Sequence, residues 1–271
     1  MGRTIINNKA ESFGDYLRSV YQYRQLIFSF AKRDLKARFV QTKLGLLWMI
    51  IQPLIALAIF TIFFDNLIQL ETGDVPYVAF AFSGMTIWYF FTNMVNSSGT
   101  ALINSQELIR KVYFPKILLP ISKILVATVE FFVAFTLLII IMLILGMNLS
   151  PKLALFPIAI GMAVLVGSCV GVWLNVLTVK KRDLQHLIPY LTNFGIWLTP
   201  VFYPTTLIPE TFRDYIYYFN PIATTIDFLR SLLFDLPFNW SYCLSFIPVL
   251  VLLIIGIRIF KNMERNMVDH L

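Results

Sequence analysis

The chain predicts an all-α polytopic membrane protein, and three observations carry the prediction. Hydrophobic residues make up 58% of its 271 residues and charged residues 14%, where a soluble domain holds about 45–50% and about 25%. Mean hydropathy is +0.74. The apolar residues lie in long runs, and LLIIIMLILG (137–146) has no polar stripe, so the amphipathic helices of a large soluble core do not account for it. Finally, Lys and Arg concentrate in alternate connections between the runs.

Six stretches approach the ~20 residues that a hydrocarbon core about 30 Å thick requires of a helix. They are 44–64, 77–95, 124–146, 153–179, 187–203 and 242–260. The fifth is the shortest and contains Pro189 and Pro200. Prolines are tolerated in such helices where neighbours or water satisfy the freed carbonyls, which favours a helix facing protein or a cavity.

Orientation follows from the cations. The segment 1–43 holds Arg3, Lys9, Arg18, Arg24, Lys32, Arg33, Lys36, Arg38 and Lys43. The second connection holds Arg110, Lys111, Lys116 and Lys123, the fourth Lys180, Lys181 and Arg182, and the C-terminal end Arg258, Lys261 and Arg265. Only Lys152, Arg213 and Arg230 of the 22 fall in the alternate connections. Six spans with both ends in the cytoplasm fit this pattern. The net charge of +7 is therefore a topology signal, and nucleic acid is not expected as a partner.

Before the first span, Phe13, Leu17, Val20, Ile27, Phe28, Ala31, Leu35 and Phe39 recur at helical spacing on one side, with Lys32, Arg33 and Lys36 on or near the other. Two arrangements fit: a helix lying in the inner interface plane, or one packed on another subunit. The segment 1–43 has no early hydrophobic core, so no cleavable signal peptide is expected. After span two comes QELIRKVYFPKILLPISK (106–123), basic and carrying two prolines. The connection 204–240 is dense in aromatic and aliphatic residues. It predicts two short helices, 211–219 and 221–234, split at Asn220-Pro221 and dipping back into the outer interface within protein. A cytoplasmic tail, 261–271, closes the chain.

Catalytic motifs are scarce. His186 and His270 have no ligand partners at useful spacing, and neither HExxH nor CxxC occurs, so no metal site is expected. Cys169 and Cys243 read as small packing residues. GSCVG (167–171) superficially resembles a nucleophile elbow, but Gly167 and Gly171 make the small-xxx-small spacing of close helix packing. No Gly-Lys pair occurs, so a P-loop is absent; the chain is not expected to be an enzyme, and uphill transport would draw on an ion gradient or another polypeptide. Glu130 is the one ionisable residue clearly inside a predicted span, near its start. It is either a proton, cation or cargo site or a carboxyl satisfied by Asn93, Asn96, Ser97, Ser98 and Thr100 at the polar end of span two. The rings of Phe60, Phe63, Phe64, Trp197, Phe202 and Tyr203 fall at outer span ends, as an interfacial belt would place them. Trp88, Tyr89 and Phe91 lie deeper. The alternative to a belt is a path lined by all these rings, whose faces stack on sugars.

Several stretches together resemble one family. RDLKARFVQTKLGLLWMIIQPLI (33–55), KVYFPKILLPIS (111–122), KKRDLQHLIPYL…TPVFYP (180–204) and NPIATTIDFLRSLLF (220–234) are similar to the corresponding parts of ABC-type polysaccharide export permeases, the membrane subunits of O-antigen, capsule and teichoic-acid exporters. The resemblance implies a bacterial inner-membrane homodimer of six-span subunits, bound to two cytoplasmic ATPase subunits that hold ATP and magnesium, with a lipid-linked polysaccharide as substrate. It implies that 104–116, with Gln106, Glu107, Leu108, Ile109, Arg110, Lys111, Val112 and Tyr113, forms a coupling helix on the ATPase. Leu108, Ile109, Val112 and Tyr113 would be its exposed apolar anchors, and Pro115 and Pro120 would end it. In the same light Arg33, Lys36, Arg38 and Lys43 would receive a lipid diphosphate. An ABC permease for a lipid or drug and a stand-alone ion-coupled transporter acting through Glu130 are the competing readings. Co-purification with an ATPase separates the stand-alone transporter from both ABC readings.

Overall fold

The computed structural model describes residues 13–40 and 43–264. Arg3, Lys9, Arg265 and His270 lie outside the described residues. Eleven α-helices follow one another among those described: α1 Phe13–Gln22, α2 Arg24–Leu35, α3 Trp48–Phe60, α4 Tyr77–Gly99, α5 Gln106–Lys111, α6 Leu118–Ile144, α7 Phe156–Lys180, α8 Leu184–Leu198, α9 Glu210–Phe219, α10 Pro221–Phe234 and α11 Phe246–Glu264. Five stretches are long and apolar enough to cross a membrane: Trp48–Asp65, Tyr77–Gly99, Leu118–Ile144, Pro151–Lys180 and Trp240–Glu264. The chain is an all-helical, multi-pass membrane protein.

The predicted fifth span is the exception. α8 has 15 residues, about 22 Å of helix at the usual rise, against the ~30 Å of a hydrocarbon core. The cause is Pro200: the residue before a proline is driven out of the helical region, and Thr199 is extended at φ −109°, ψ 135°. Span three also begins earlier than predicted. α6 starts at Leu118, with Pro120 in its first turn, where an N–H has no partner within the helix and a proline costs nothing. Glu130 therefore sits midway along α6 and not near its start.

α4 is the pillar of the bundle: 78% of its most apolar stretch is buried, against 6% for the first span. It packs along both α6 and α7, while α11 packs on α7, α2 on α6, and α10 on α4 and α7. Small residues let α4 and α7 approach, as the glycine pair predicts. A Cβ added at Gly171 would collide with Ser98 Oγ, and one at Gly167 would lie 2.7 Å from the Met94 methyl.

The break after α4 shows how this contact is finished with polar groups. Asn175, fully buried on α7, donates to the carbonyls of Ser98 and of Gly171 (2.9 Å) and accepts from the Leu102 amide at 3.4 Å. Thr178 donates to the Gly99 carbonyl at 3.0 Å. The carbonyls that α4 leaves unpaired at its C-terminus thus find donors on a neighbouring helix, which a buried helix end requires.

The end of the bundle that carries α5 and most of the cations, here the basic end, has its own core of Tyr16, Phe30, Leu102, Ile109, Phe114, Val176, Val179 and Phe260. The N-terminal segment is two helices, not one, and its buried face is Tyr16, Phe30 and Ala31. Phe13, Leu17 and Phe28, predicted on the apolar side, are exposed. Glu264 ties this end together. Its carboxylate accepts from the Tyr16 hydroxyl and from the Lys116 amide, both at 2.7 Å.

Gly171→Ala is expected to cost about 1–3 kcal/mol, the range for overpacking a tight contact. Gly161→Ala, where an added Cβ meets nothing within 4 Å, should be neutral or stabilise by up to ~1 kcal/mol, the helix-propensity gain of Ala over Gly. Denaturant unfolding of both variants in the same detergent checks the pair.

Candidate functional site

Between α3, α4, α6 and α8 lies a cavity of about 410 Å³. Its polar wall comes from Gln52 on α3, Thr86, Tyr89, Thr92, Asn93 and Asn96 on α4, and Asn193 on α8; Phe60, Trp88, Phe90 and Phe131 supply rings. Toward the basic end the wall closes on an ion pair. Arg38, in the π-helical turn Lys36–Val40 that follows α2, donates from Nη1 to Glu130 Oε1 at 2.7 Å. Asn93 Nδ2 donates to the other carboxylate oxygen at 2.9 Å. The Glu130 side chain is 11% exposed and that of Arg38 47%. Of the five polar residues predicted as partners for Glu130, Asn93 is the one that bonds to it here, and Arg38 joins it from 92 residues away.

At the far end a cluster of rings stands over the cavity. Phe202 is its centre, with ring centroids 4.6 Å from Phe60, 4.8 Å from Trp197, 5.0 Å from Phe64 and 5.7 Å from Tyr203. Trp88 and Phe91 form a separate pair at 5.6 Å. Phe63 projects outward, 55% exposed. Of the nine rings predicted to line a path, Phe60, Trp88 and Tyr89 border the cavity, and five gather in the cluster around Phe202.

That cluster exists because the chain turns sharply after α8, and the turn is buried: Thr199, Val201 and Phe202 are each at most 1% exposed. Its carbonyls are satisfied one by one. Arg230 on α10 donates to Pro200 O at 2.9 Å and to Val201 O at 2.5 Å. Tyr77 donates to Phe202 O at 2.9 Å, and Tyr203 donates back to Trp197 O at 3.0 Å. Asn220 donates to Thr199 Oγ1 at 2.8 Å. The guanidinium also donates to Phe80 O at 3.2 Å and lies 3.6 Å from the Phe80 ring centroid. A Cβ at Gly84 would strike both the Val201 carbonyl and this guanidinium. Burial lowers the Arg230 pKa to about 10, with Asp227, Tyr217 and Tyr77 acting in the opposite sense, so the group is charged at neutral pH. One turn earlier, burial pushes the Asp227 carboxyl up, while Arg230 and a hydrogen bond from Tyr217 pull it down. By charge pattern alone Arg230 is an ordinary outer-connection cation. Its isolation among the apolar residues of ATTIDFLRSLLF was the available signal.

On another face of α8 runs an apolar groove of about 420 Å³, lined by Val95, Val166, Leu174, Leu191, Val249 and Leu252 among others. Trp88 borders both spaces, with Gly195 of α8 packed so closely that an added Cβ would lie 2.9 Å from the indole.

At the basic end, Gln106–Lys111 forms one and a half turns of helix, and Val112 is extended. Glu107, Arg110, Lys111, Val112 and Tyr113 are exposed, the last by 82%. Ile109 is not: it is 5% exposed and belongs to the basic-end core, with Leu108 packed beside it. The exposed apolar pair is therefore Val112 and Tyr113, because the helix turns its Ile109 face inward. Arg33, Gln106, Glu107, Lys111 and Lys123 border a cleft between α2 and this segment. Asp34 is bridged there by Lys123 at 2.7 Å and Arg33 at 2.9 Å. The four cations predicted to act together are thus divided: Arg33 faces the cleft and Arg38 the cavity, while Lys36 and Lys43 border neither among the described lining residues.

Comparison with known proteins adds the family. Residues 25–234 match the family model described as ABC-2 type transporter. The O-antigen export system permease protein RfbA of Myxococcus xanthus is 26% identical over 220 residues, covering 81% of this chain and 84% of that protein. RfbA of Klebsiella pneumoniae is 24% identical over 249 residues, 91% and 95% of the two chains. The polysialic acid transport protein KpsM of Escherichia coli is 23% identical over 239 residues, 87% and 92%. With the family match running from α2 to the end of α10, this protein belongs to the ABC-2 type transporters, as a membrane permease subunit and not an ATPase.

Proposed function

We propose that the chain forms half of a conduit through which a lipid-linked polysaccharide of the O-antigen or capsule kind leaves the bacterial cytoplasm. The observation that carries this reading is the near end-to-end similarity to permeases named for O-antigen export and polysialic acid transport. Two copies would enclose the passage, and two ATPase subunits, holding ATP and magnesium, would drive it from the basic end, which faces the cytoplasm.

The chain then crosses six times, the fifth crossing completed by α8 and the buried turn after it. α1 and α2 lie in the inner interface, and α9 and α10 dip into the outer one. The polar cavity and the apolar groove on two faces of α8 suit an amphiphile with a sugar head and a hydrocarbon tail. Rings and amides together accommodate sugars without relying on charge. Among the basic residues, Arg33 beside Lys111 and Lys123 is best placed to meet a diphosphate at the inner face, and juxtamembrane cations there gain about 1 kcal/mol each near anionic groups.

The coupling role of α5 rests on its rigidity and its reach. Ile109 anchors it in the core, while Glu107, Arg110, Lys111, Val112 and Tyr113 project outward. Val112→Asp and Tyr113→Asp are expected to reduce capture of a co-expressed partner ATPase at least ~10-fold, the effect of a buried charge at an interface hot spot. The folded permease should elute unchanged by size-exclusion chromatography. Undiminished capture of the ATPase by both variants would overturn the coupling assignment. ATP-independent flux in vesicles containing only this chain, abolished by Glu130→Gln, would overturn the exporter reading itself.

A further inference from the structure

We propose that Gln52, Tyr89 and Asn193 hold a sugar of the exported polymer within the membrane by hydrogen bonds to its hydroxyls. This rests on the polysaccharide reading above and names the groups that perform the recognition.

The polar groups on the cavity wall fall into two sets. One set already has partners in the chain. Thr86 donates to the Phe82 carbonyl at 2.7 Å and Thr92 to that of Tyr89 at 3.2 Å. Asn93 donates to Glu130 at 2.9 Å, and Asn96 accepts from Thr192 at 3.4 Å. The other set is Gln52, Tyr89 and Asn193. Among the described residues, nothing in the chain forms a hydrogen bond with their side-chain polar atoms. Gln52 and Asn193 are exposed and Tyr89 is half-buried.

Their position makes this informative. Besides the Trp48 indole, Gln52 is the one hydrogen-bonding side chain in WMIIQPLIALAIF, the sequence of α3. Tyr89 lies near the middle of α4, and Asn193 past the middle of α8. A carboxamide or phenol turned toward hydrocarbon at such depths gives up its hydrogen bonds with water and gains none in return. All three instead border one cavity of about 410 Å³, within the roughly 300–1,000 Å³ of ordinary ligand pockets. Their partners therefore come from whatever fills it.

A sugar suits these groups better than water alone. Carboxamides and a phenol both donate and accept, as hydroxyls do, so pairing succeeds in either sense. Phe60 and Trp88 border the same space, and their ring faces suit the apolar C–H face of a sugar. Because the three groups come from α3, α4 and α8, a bound sugar bridges elements that the chain itself does not join through them.

The test is equilibrium dialysis of tritium-labelled maltoheptaose against the purified full chain in lipid nanodiscs. Gln52→Leu and Asn193→Leu remove the hydrogen bonds at similar size, and leucine is compatible with a membrane helix. Each should lower affinity at least ~5-fold, and Tyr89→Phe at least ~3-fold, as expected for lost hydrogen bonds. Phe194→Leu, at a neighbouring position that is 68% exposed, should bind as the wild type does. A second measurement needs no leucine variant. Asn193→Cys should react with a membrane-impermeant methanethiosulfonate at least ~10-fold faster than Phe194→Cys, because the reactive thiolate forms in a wet site, and maltoheptaose should slow it.

No binding by the wild-type chain, or wild-type affinity in both leucine variants, would overturn the proposal. So would equal thiol reactivity at 193 and 194. A shift of either leucine variant to a smaller oligomer in native mass spectrometry would assign these groups to contact between copies and overturn it as well. Each of these results leaves the exporter reading standing, whereas failure of ATPase capture by the wild-type chain would remove that reading without bearing on the sugar measurements.

Discussion

A helix end buried in protein leaves carbonyls that water cannot reach, and each must find a donor inside the protein. This chain meets that constraint twice with buried polar side chains carried on neighbouring helices. Asn175 and Thr178 of α7 complete the end of α4, and Arg230 of α10, with Tyr77 of α4, completes the turn after α8. Arg230 is the more consequential. It links α10, the turn at Pro200 and Val201, and the Phe80 and Ser83 region of α4 in one hydrogen-bonded knot. An ammonium could not reproduce this, because the planar guanidinium fork presents five donors in fixed directions.

The cavity depends on that knot. Holding Pro200 and Val201 fixes Phe202 beneath Phe60 and Phe64, and Trp197 packs its ring edge-on against Phe202. The aromatic end of the cavity is thus set by α10, an element that contributes nothing to its lining. The opposite end is set by Arg38, Glu130 and Asn93, which bring together the turn after α2, α6 and α4. α3, the least buried of the long helices, forms one wall between these two fixed ends. It contains Pro53 and passes into a π-helical stretch at Thr61–Leu67, features that loosen a helix.

Much of this architecture was legible in the sequence, for identifiable reasons. Apolar run length located five long helices, and the Asn220-Pro221 break located α9 and α10 almost to the residue, since Asn220 caps α10. Gly167 and Gly171 read correctly as packing residues. The misreadings are equally physical. Pro120 is expected to end one segment but begins the next, a position where proline is favoured, and this moves Glu130 from the edge of its helix to the middle. Pro200 falls inside the predicted fifth span, and its effect on Thr199 ends α8 before that span is complete. Ile109, expected from the resemblance as an outward anchor, turns inward, and a helix of one and a half turns has too little periodicity to show which face does so. Pairings such as Arg38 with Glu130 and Arg230 with Val201 join residues far apart in the chain, and local pattern carries no trace of them.

The account stands on Arg230 as the organiser of the turn after α8, and amide hydrogen exchange by mass spectrometry on the detergent-purified chain tests this most directly. In Arg230→Met, two buried carbonyls lose their donor, at about 1–3 kcal/mol each. Exchange should accelerate at least ~10-fold across α9, the turn after α8 and the first turn of α4, while the α4–α7 contact around Asn175 keeps wild-type protection. Wild-type exchange throughout Arg230→Met, with an unchanged unfolding midpoint, would contradict it.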